Sequence, residues 1–364
     1  MKLPSTLFTI LITASLLLSG CSAATIPSTQ APGSTSLPEP AMPAATSAEA
    51  APTAAESTLA PAITSPATTS PATTSPAATS TAAMPAAAIT VTDGLGRTVT
   101  LSGPAKRIVS LAPSNTEILF AIGAGAQVVG RDDVSDYPPE VKSLPTVGGN
   151  MGNLNLEQIT KLQPDLVITA EINSPEQVKS MENLKLTVFY LNNPKDLNGL
   201  YTNLDIVAKL TGHEQQAAQL DDSLRQRVTA VQTALQNVTS RPKVYYEIDG
   251  TDASKPWTAG PGTFIDQLLT MAGGTNVGVG LSGGYAQMSL EELLVQNPDI
   301  ILLGDAAYGT TPALVAKRPG WDAIAAVKNG RILPMDDNLV SRPGPRLIDG
   351  LETLAKIIHP EVFK

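Results

Sequence analysis

One short pattern occurs twice in this chain, and the second copy lies far downstream of the first. The copies are NLEQITKLQPDLVIT (Asn155–Thr169) and SLEELLVQNPDIILL (Ser289–Leu303). Each copy opens with a good helix N-cap and has Gln or Glu three residues on, where a capping box uses these residues. A Pro-Asp pair then stops the helix, and four apolar residues follow, as expected of a buried strand. The pattern predicts a helix and a strand of a βαβ crossover in two separate places.

Two distant crossovers of one kind predict two α/β lobes, each doubly wound around its own parallel sheet. We expect the first lobe at residues 89–195, opening with a hairpin around Asp93, and the second at residues 239–364. Residues 196–238 lie between them and contain a set of apolar residues at helical spacing. These residues are Leu220, Leu224, Val228, Val231 and Leu235. The fold class is therefore predicted to be two Rossmann-like lobes joined by one long α-helix, with the ligand cleft between the lobes.

The segment KRIVSLAPSNTEILFAIGAGAQVVGR (Lys106–Arg131) predicts a strand, a helix and a second strand. Ser114 is expected at the N-cap of this helix with Glu117 three residues later, which would form a capping box. Gly123 and Gly125 are expected to end the helix.

The first 88 residues differ sharply from the rest. Met1–Cys21 has a positive residue, an apolar stretch too short for a comfortable membrane span, and the ending Leu-Ser-Gly-Cys, which resembles a bacterial lipobox. Cys21 is the only cysteine, so it is expected to carry the lipid. Residues 22–88 are mostly Pro, Ala, Thr and Ser and are expected to form a disordered stalk. Ligand binding should then depend on the part of the chain after residue 88.

Charge and histidine content exclude several classes of function. The formal net charge is −9 and no basic stripe exists, which argues against nucleic acid as a partner. His213 and His359 are the only histidines, too few for the zinc and manganese class of binding proteins. Both are expected to be surface or capping residues rather than part of a Ser-His-Asp triad. We therefore expect no enzyme and no resident metal or cofactor.

The folded part resembles the substrate-binding proteins of ABC importers for iron–siderophores, haem and cobalamin. The resemblance is carried by KRIVSLAPSNTEILFAIGAG, VSDYPPEVKSLPTVGG, NLEQITKLQPDLVI and SRPGPRLIDGLETLAKIIHP. Within these segments, LAPSNTE and SDYPPE are most similar to the cobalamin-type members. It implies an extracytoplasmic, lipid-anchored monomer that captures a cobalt- or iron-containing chelate. It also implies delivery to a permease dimer with its ATPase. The alternative is a surface-anchored enzyme or adhesive module on the same two-lobe scaffold.

The resemblance also assigns a role to the repeated pattern. Members of this family present one exposed glutamate on each lobe, and the pair docks on permease arginines. By position these are Glu157 and Glu291, and Glu292 is a possible substitute for the second. The other interpretation is that an acid at a helix start only offsets the helix dipole.

Ligand contacts are expected in the loops at the carboxyl ends of the strands, facing the cleft. The predicted contacts are Ser114, Asn115, Asn150, Met151, Glu171, Trp257, Tyr285, Asn338 and Arg342. Trp257 is interpreted either as a ligand platform or as an aromatic anchored at the lobe edge, and Trp321 as a core residue. Aromatics that clasp the corrin in cobalamin-type members are replaced here by Val134, Met151 and Ala170, which leaves the chelate open. Arg342 and Arg346 are available to neutralise an acidic ligand, unless Arg346 is only the solvated end of a helix.

Overall fold

The fold is taken from a computed structural model that describes residues 87–149 and 152–363. The expected signal peptide, Cys21 and nearly all of the expected stalk lie outside these residues, as do Asn150 and Met151. No helix among the described residues is long and apolar enough to cross a membrane.

The first lobe begins with an antiparallel hairpin, β1 (Ile89–Thr92) and β2 (Thr98–Leu101), as the sequence predicts. A four-stranded sheet follows, with all neighbouring strands parallel and the order β4-β3-β5-β6. Its strands are β3 (Ile108–Ser110), β4 (Val128–Arg131), β5 (Leu166–Thr169) and β6 (Val188–Tyr190). Its helices are α1 (Pro113–Ala121), α2 (Leu156–Lys161), α3 (Pro175–Asn183) and α4 (Leu197–Thr211).

Helix α5 (Glu214–Leu235) connects this lobe to the second. The predicted helical segment 196–238 thus contains two helices, because Gly212 adopts a left-handed conformation with φ of 77° and ends α4. Helix α5 presents Leu224, Val231 and Leu235 to the interior, as their spacing predicts. These residues belong to one apolar cluster that also contains strand residues of both lobes, so the lobes share a continuous core along α5.

The second lobe is built on a six-stranded sheet with the main order β10-β8-β7-β11-β12 and β9 beside β7. The strands are β7 (Lys243–Asp249), β8 (Trp257–Ala259), β9 (Thr275–Asn276), β10 (Tyr285–Gln287), β11 (Ile300–Leu303) and β12 (Ile332–Pro334). The helices are α6 (Phe264–Met271), α7 (Leu290–Gln296), α8 (Pro312–Val315), α9 (Ala325–Lys328), α10 (Asn338–Ser341) and α11 (Leu347–Ile358). This sheet is mixed rather than purely parallel, because β8 returns antiparallel along the end of β7 and β10 pairs with β8.

Both sheets are buried on their two faces, which is why their central strands read as continuous apolar runs. In β11, Ile300 and Leu302 join the cluster shared with α5, whereas Ile301 and Leu303 pack in a second cluster around Trp321. Trp321 is fully buried, as expected, and its ring meets that of Tyr245 edge-on.

The two copies of the repeated pattern adopt the predicted structure. Asn155 and Ser289 cap α2 and α7 by accepting hydrogen bonds from the Gln158 and Glu292 backbone amides, at 2.9 and 3.1 Å. Only this half of the capping box forms at α7, because the Glu292 carboxylate accepts instead from Gln296. Strands β5 and β11 follow, both completely buried.

The capping box predicted at the start of α1 is wrong. Helix α1 begins at Pro113 after Ala112, without a side-chain cap, so Ser114 is not its N-cap. Glu117 does not turn back to the helix start, because its carboxylate is buried against arginines of the second lobe. His359 ends α11, as a capping residue should, but it is buried and its ring meets the Gly273 carbonyl rather than solvent.

Candidate functional site

The carboxyl edges of the two sheets face each other. Arg342, in the loop after β12, donates a 2.6 Å hydrogen bond to Asp136, in the loop after β4. Arg346, four residues further on, reaches Glu117 on α1, which follows β3. Since the carboxyl ends of parallel strands share one edge of a sheet, these contacts place the two loop sets on opposite sides of one cleft.

Glu117 is the centre of the charged contact between the lobes. Its side chain is only 2% exposed and accepts two hydrogen bonds from Arg346, at 3.0 and 2.5 Å. Nη1 of Arg342 lies 3.5 Å from Oε1 of the same carboxylate. The Arg346 guanidinium also lies 3.9 Å from the centre of the Tyr137 ring. Arg346 is therefore not the solvated end of a helix. Because it binds Glu117 with two hydrogen bonds and stacks on Tyr137, it fixes the orientation of one lobe against the other.

Asp136 is the exposed partner in this cluster. Burial acts to raise its pKa, but the hydrogen bond and charge of Arg342, together with the charges of Lys142 and Arg346, outweigh burial and hold the pKa of Asp136 below its usual value. The carboxylate is thus ionised and bound to Arg342 at neutral pH. The charge of Arg342 is thus already compensated within the protein by Asp136.

The predicted contacts of the first lobe are not equally placed for binding. Ser114 and Asn115 are buried at the start of α1, and the Asn115 amide donates to the Thr169 carbonyl at the end of β5. Glu171, after β5, is exposed, although its carboxylate accepts a 3.1 Å hydrogen bond from the backbone amide of Asn193. Asn115 therefore holds α1 to the sheet, and among the described residues predicted in this lobe Glu171 is the one whose side chain is exposed.

Trp257 and Tyr285 lie on one face at the edge of the second sheet. They are 42% and 56% exposed. In the pairing of β8 with β10, Trp257 stands opposite Gln287 and Tyr285 opposite Ala259, so side-chain alternation puts both aromatics on the same side. Trp257 also pairs with Asp249, the last residue of β7, which locates this surface at the carboxyl edge.

The loop after β12 is held against the same surface. The Tyr246 hydroxyl donates a 2.7 Å hydrogen bond to Asp337, and the Ser341 hydroxyl binds the same carboxylate. Burial, followed by the charge of Asp337, raises the pKa of Tyr285. The half-buried Asn338 donates to Asp336 within the loop. Asp337 therefore positions the loop that carries Asn338.

Arg318 and Glu247 form an ion pair at the carboxyl edge of the second sheet. The two nitrogen–oxygen distances are 2.5 and 2.9 Å, and Glu247 is completely buried. Burial raises the pKa of Glu247 although the hydrogen bonds from Arg318 oppose the rise. Glu247 is thus a structural residue near the carboxyl end of β7.

Sequence reasoning missed several exposed apolar side chains in the loops at the carboxyl edges. They are Tyr137, Ile172 and Tyr308, and Val134 joins them as an exposed aliphatic residue. Tyr308 is 90% exposed. The signal was available, because an apolar residue within a polar loop directly after a buried strand has no core to enter.

Glu157 and Glu291 are both exposed in the first turns of α2 and α7. In the described part of the chain neither carboxylate forms an ion pair. The same part contains no group of three or more His, Cys, Asp or Glu side chains that could hold a metal ion.

Comparisons with known proteins agree with this architecture. The family model described as periplasmic binding protein matches residues 108–339. The chain is 34% identical over 279 residues to the ABC transporter substrate-binding lipoprotein YvrC of Bacillus subtilis, covering 76% of this chain and 87% of that one. It is 29% identical over 279 residues to a cobalamin-binding protein of Halobacterium salinarum, covering 74% of each.

Among solved structures, the periplasmic haem-binding protein RhuT of Roseiflexus is 29% identical and superposes with a TM-score of 0.64, over 71% of this chain and 99% of that one. The family match covers more than half of the chain and agrees with the expectation of a binding protein rather than an enzyme. The chain belongs to the periplasmic binding protein family.

Proposed function

We propose that this protein is the extracytoplasmic, lipid-anchored substrate-binding component of an ABC importer and that it captures a metal chelate between its lobes. The observation that carries the proposal is the pair Trp257 and Tyr285, exposed on one face at the carboxyl edge of the second sheet. Two aromatic rings offer a flat chelate a large apolar contact. The names of the relatives, cobalamin- and haem-binding proteins, support a ligand of this class.

Delivery to the permease depends in this proposal on Glu157 and Glu291. Both carboxylates are exposed and without an ion-pair partner among the described residues, so they are free to meet arginines of another protein. Cys21 supplies the membrane anchor, and the receptor works as a monomer. The partners are the permease dimer with its ATPase and the chelate.

Binding is tested by titrating the full chain, in detergent, with cobalamin, cobinamide, haemin and ferric siderophores. The chain has two tryptophans and Trp321 is buried, so quenching of the exposed Trp257 reports an occupied cleft. Trp257→Ala, read from the visible absorbance of the chelate because this variant lacks the reporting tryptophan, should weaken binding about tenfold, the usual effect of losing a well-packed aromatic contact. Leu184→Ala removes a similarly exposed apolar side chain at the end of α3 and is the control. Equal affinities for the two variants would contradict the proposed site.

Docking is tested separately by transport. The double variant Glu157→Lys, Glu291→Lys should abolish uptake while leaving chelate affinity unchanged, because two arginines would face two lysines. The matched control is Glu176→Lys, Glu214→Lys, which reverses exposed first-turn acids of α3 and α5 with the same loss of helix-dipole interaction. Normal uptake by the first variant would reduce the glutamates to helix-capping residues.

A further inference from the structure

The loops at the carboxyl edges carry most of the protein's net negative charge. We call the charged ones the cleft loops; they are residues 132–138, 170–174, 191–196, 249–256, 304–311 and 335–342. They contain ten Asp and Glu residues against three Lys and Arg, an excess of seven negative charges, whereas the whole chain carries −9. The link after β3, Leu111-Ala112, is uncharged.

The opposite edge of the sheets has the reverse composition. Five Lys and Arg residues but only two Asp residues lie within the three positions before the strands that start at this edge. These strands are β3, β4, β5, β6, β7, β11 and β12. The acidic excess is therefore concentrated on the cleft side of the molecule and does not follow from composition alone.

Arginines at this edge do not offset the charge. Arg342, the one arginine of the cleft loops, is bound to Asp136 and lies near Glu117. Its neighbours Arg318 and Arg346 are held by the buried carboxylates of Glu247 and Glu117. Each guanidinium is thus already paired with a carboxylate of the protein, and freeing Arg318 would leave the buried carboxylate of Glu247 unpaired.

Several carboxylates of the cleft loops remain open to solvent. They are Asp133, Glu171, Asp249, Asp252 and Asp336, all exposed and, within the described residues, outside any ion pair. A cleft lined by one sign of charge raises the local concentration of counter-ions. A single carboxylate about 8 Å from a unit charge changes affinity by a factor of about two in water. Several such carboxylates together change the affinity about tenfold.

We propose that the ligand of this receptor is a cationic metal chelate and that the cleft loops select it against anionic chelates. The inference rests on the proposed function, and it replaces the expectation that Arg342 and Arg346 neutralise an acidic ligand.

The experiment compares forms of one chelate that differ in charge. The full chain in detergent is titrated with cationic aquocobalamin, uncharged cyanocobalamin and the anionic monocarboxylic acid of cyanocobalamin. A second series uses ferrioxamine B, which is cationic, with its N-acetyl and N-succinyl derivatives, which are neutral and anionic. In the series that binds, the cation should bind about tenfold tighter than the anion at low ionic strength. The difference should shrink as sodium chloride is added.

A charge-matched pair of variants locates the effect. The triple variant Asp133→Asn, Asp252→Asn, Asp336→Asn keeps one acceptor oxygen at each site and should lower the cation-to-anion preference at least about threefold. The control Glu214→Gln, Asp222→Asn, Asp322→Asn removes three exposed acids from outside the cleft loops and should leave the preference unchanged.

The outcomes separate this inference from the proposed function. Binding that is independent of ligand charge, or tighter for the anion, overturns the inference while the proposed function stands; it would mean that the acidic loops serve another purpose, such as meeting the permease. An equal effect of both triple variants would also overturn it, because overall charge and not the cleft loops would be responsible. If no chelate of either series, and neither haemin nor cobinamide, binds, the proposed function fails as well.

Discussion

Replacing Glu117 by glutamine should loosen the contact between the two lobes at a cost that the structure allows to be estimated. The substitution keeps the volume of the side chain and removes its charge, which leaves Arg346 and Arg342 facing an amide. Breaking a buried ion pair by removing one partner costs about 3–5 kcal/mol. The two guanidiniums are 14% and 17% exposed and can regain some water, so we expect a loss of about 2–4 kcal/mol in the free energy of unfolding.

The assay is urea denaturation, and the matched control is Glu352→Gln. Glu352 also accepts two hydrogen bonds from one arginine, Arg227, at 2.8 Å, but the two side chains are 29% and 35% exposed and Asp349 stays as a second partner. That pair should contribute less than about 1 kcal/mol. A double-mutant cycle of Glu117→Gln with Arg346→Gln should show a coupling energy above about 1 kcal/mol. If Glu117→Gln costs no more than Glu352→Gln, the buried pair does not hold the lobes together.

Three further predictions concern pH, stiffness and anchoring. Burial, and then the carboxylate of Asp205, raise the pKa of Asp221 to about 6, so the folded state binds this proton more tightly and stability falls as pH rises from about 4 to above 6. Asp221→Asn should therefore stabilise the protein by about 1 kcal/mol at neutral pH, after allowance for solvent screening, and should have little effect near pH 4. The measurement is urea denaturation at both pH values, with the exposed Asp222→Asn as the control. An effect that does not depend on pH, or an equal effect of the control, would contradict this prediction. Because α5 is a continuous helix within a shared core, ligand binding should change the radius of gyration little, and a large compaction in X-ray scattering would count against a stiff connection. Cys21→Ser should release the protein from membranes with chelate affinity intact, and persistent membrane association after fractionation would refute the anchor.

Local patterns in the sequence determined the elements and their class. The repeated pattern predicted α2 with β5 and α7 with β11, because capping residues, a helix-stopping proline and an apolar run act within a few residues of one another. The spacing of Leu224, Val231 and Leu235 predicted α5 in the same way. The mixed second sheet was missed, since β8 and β10 are three-residue strands whose pairing is decided by neighbours distant in sequence.

The site depended on contacts that no local pattern contains. Glu117 and Arg346 are more than two hundred residues apart, and only the approach of the lobes turns a predicted helix cap into a buried ion pair. The same approach occupies Arg342 with Asp136, so the ligand's charge could not be inferred by counting arginines. Sequence alone predicted Trp257 and Tyr285 in loops at this edge, because loops after buried strands meet there, whereas the structure places them in the short strands β8 and β10. Tertiary structure decided which charges remain free at that edge, because electrostatic energy depends on distance and burial rather than on position along the chain.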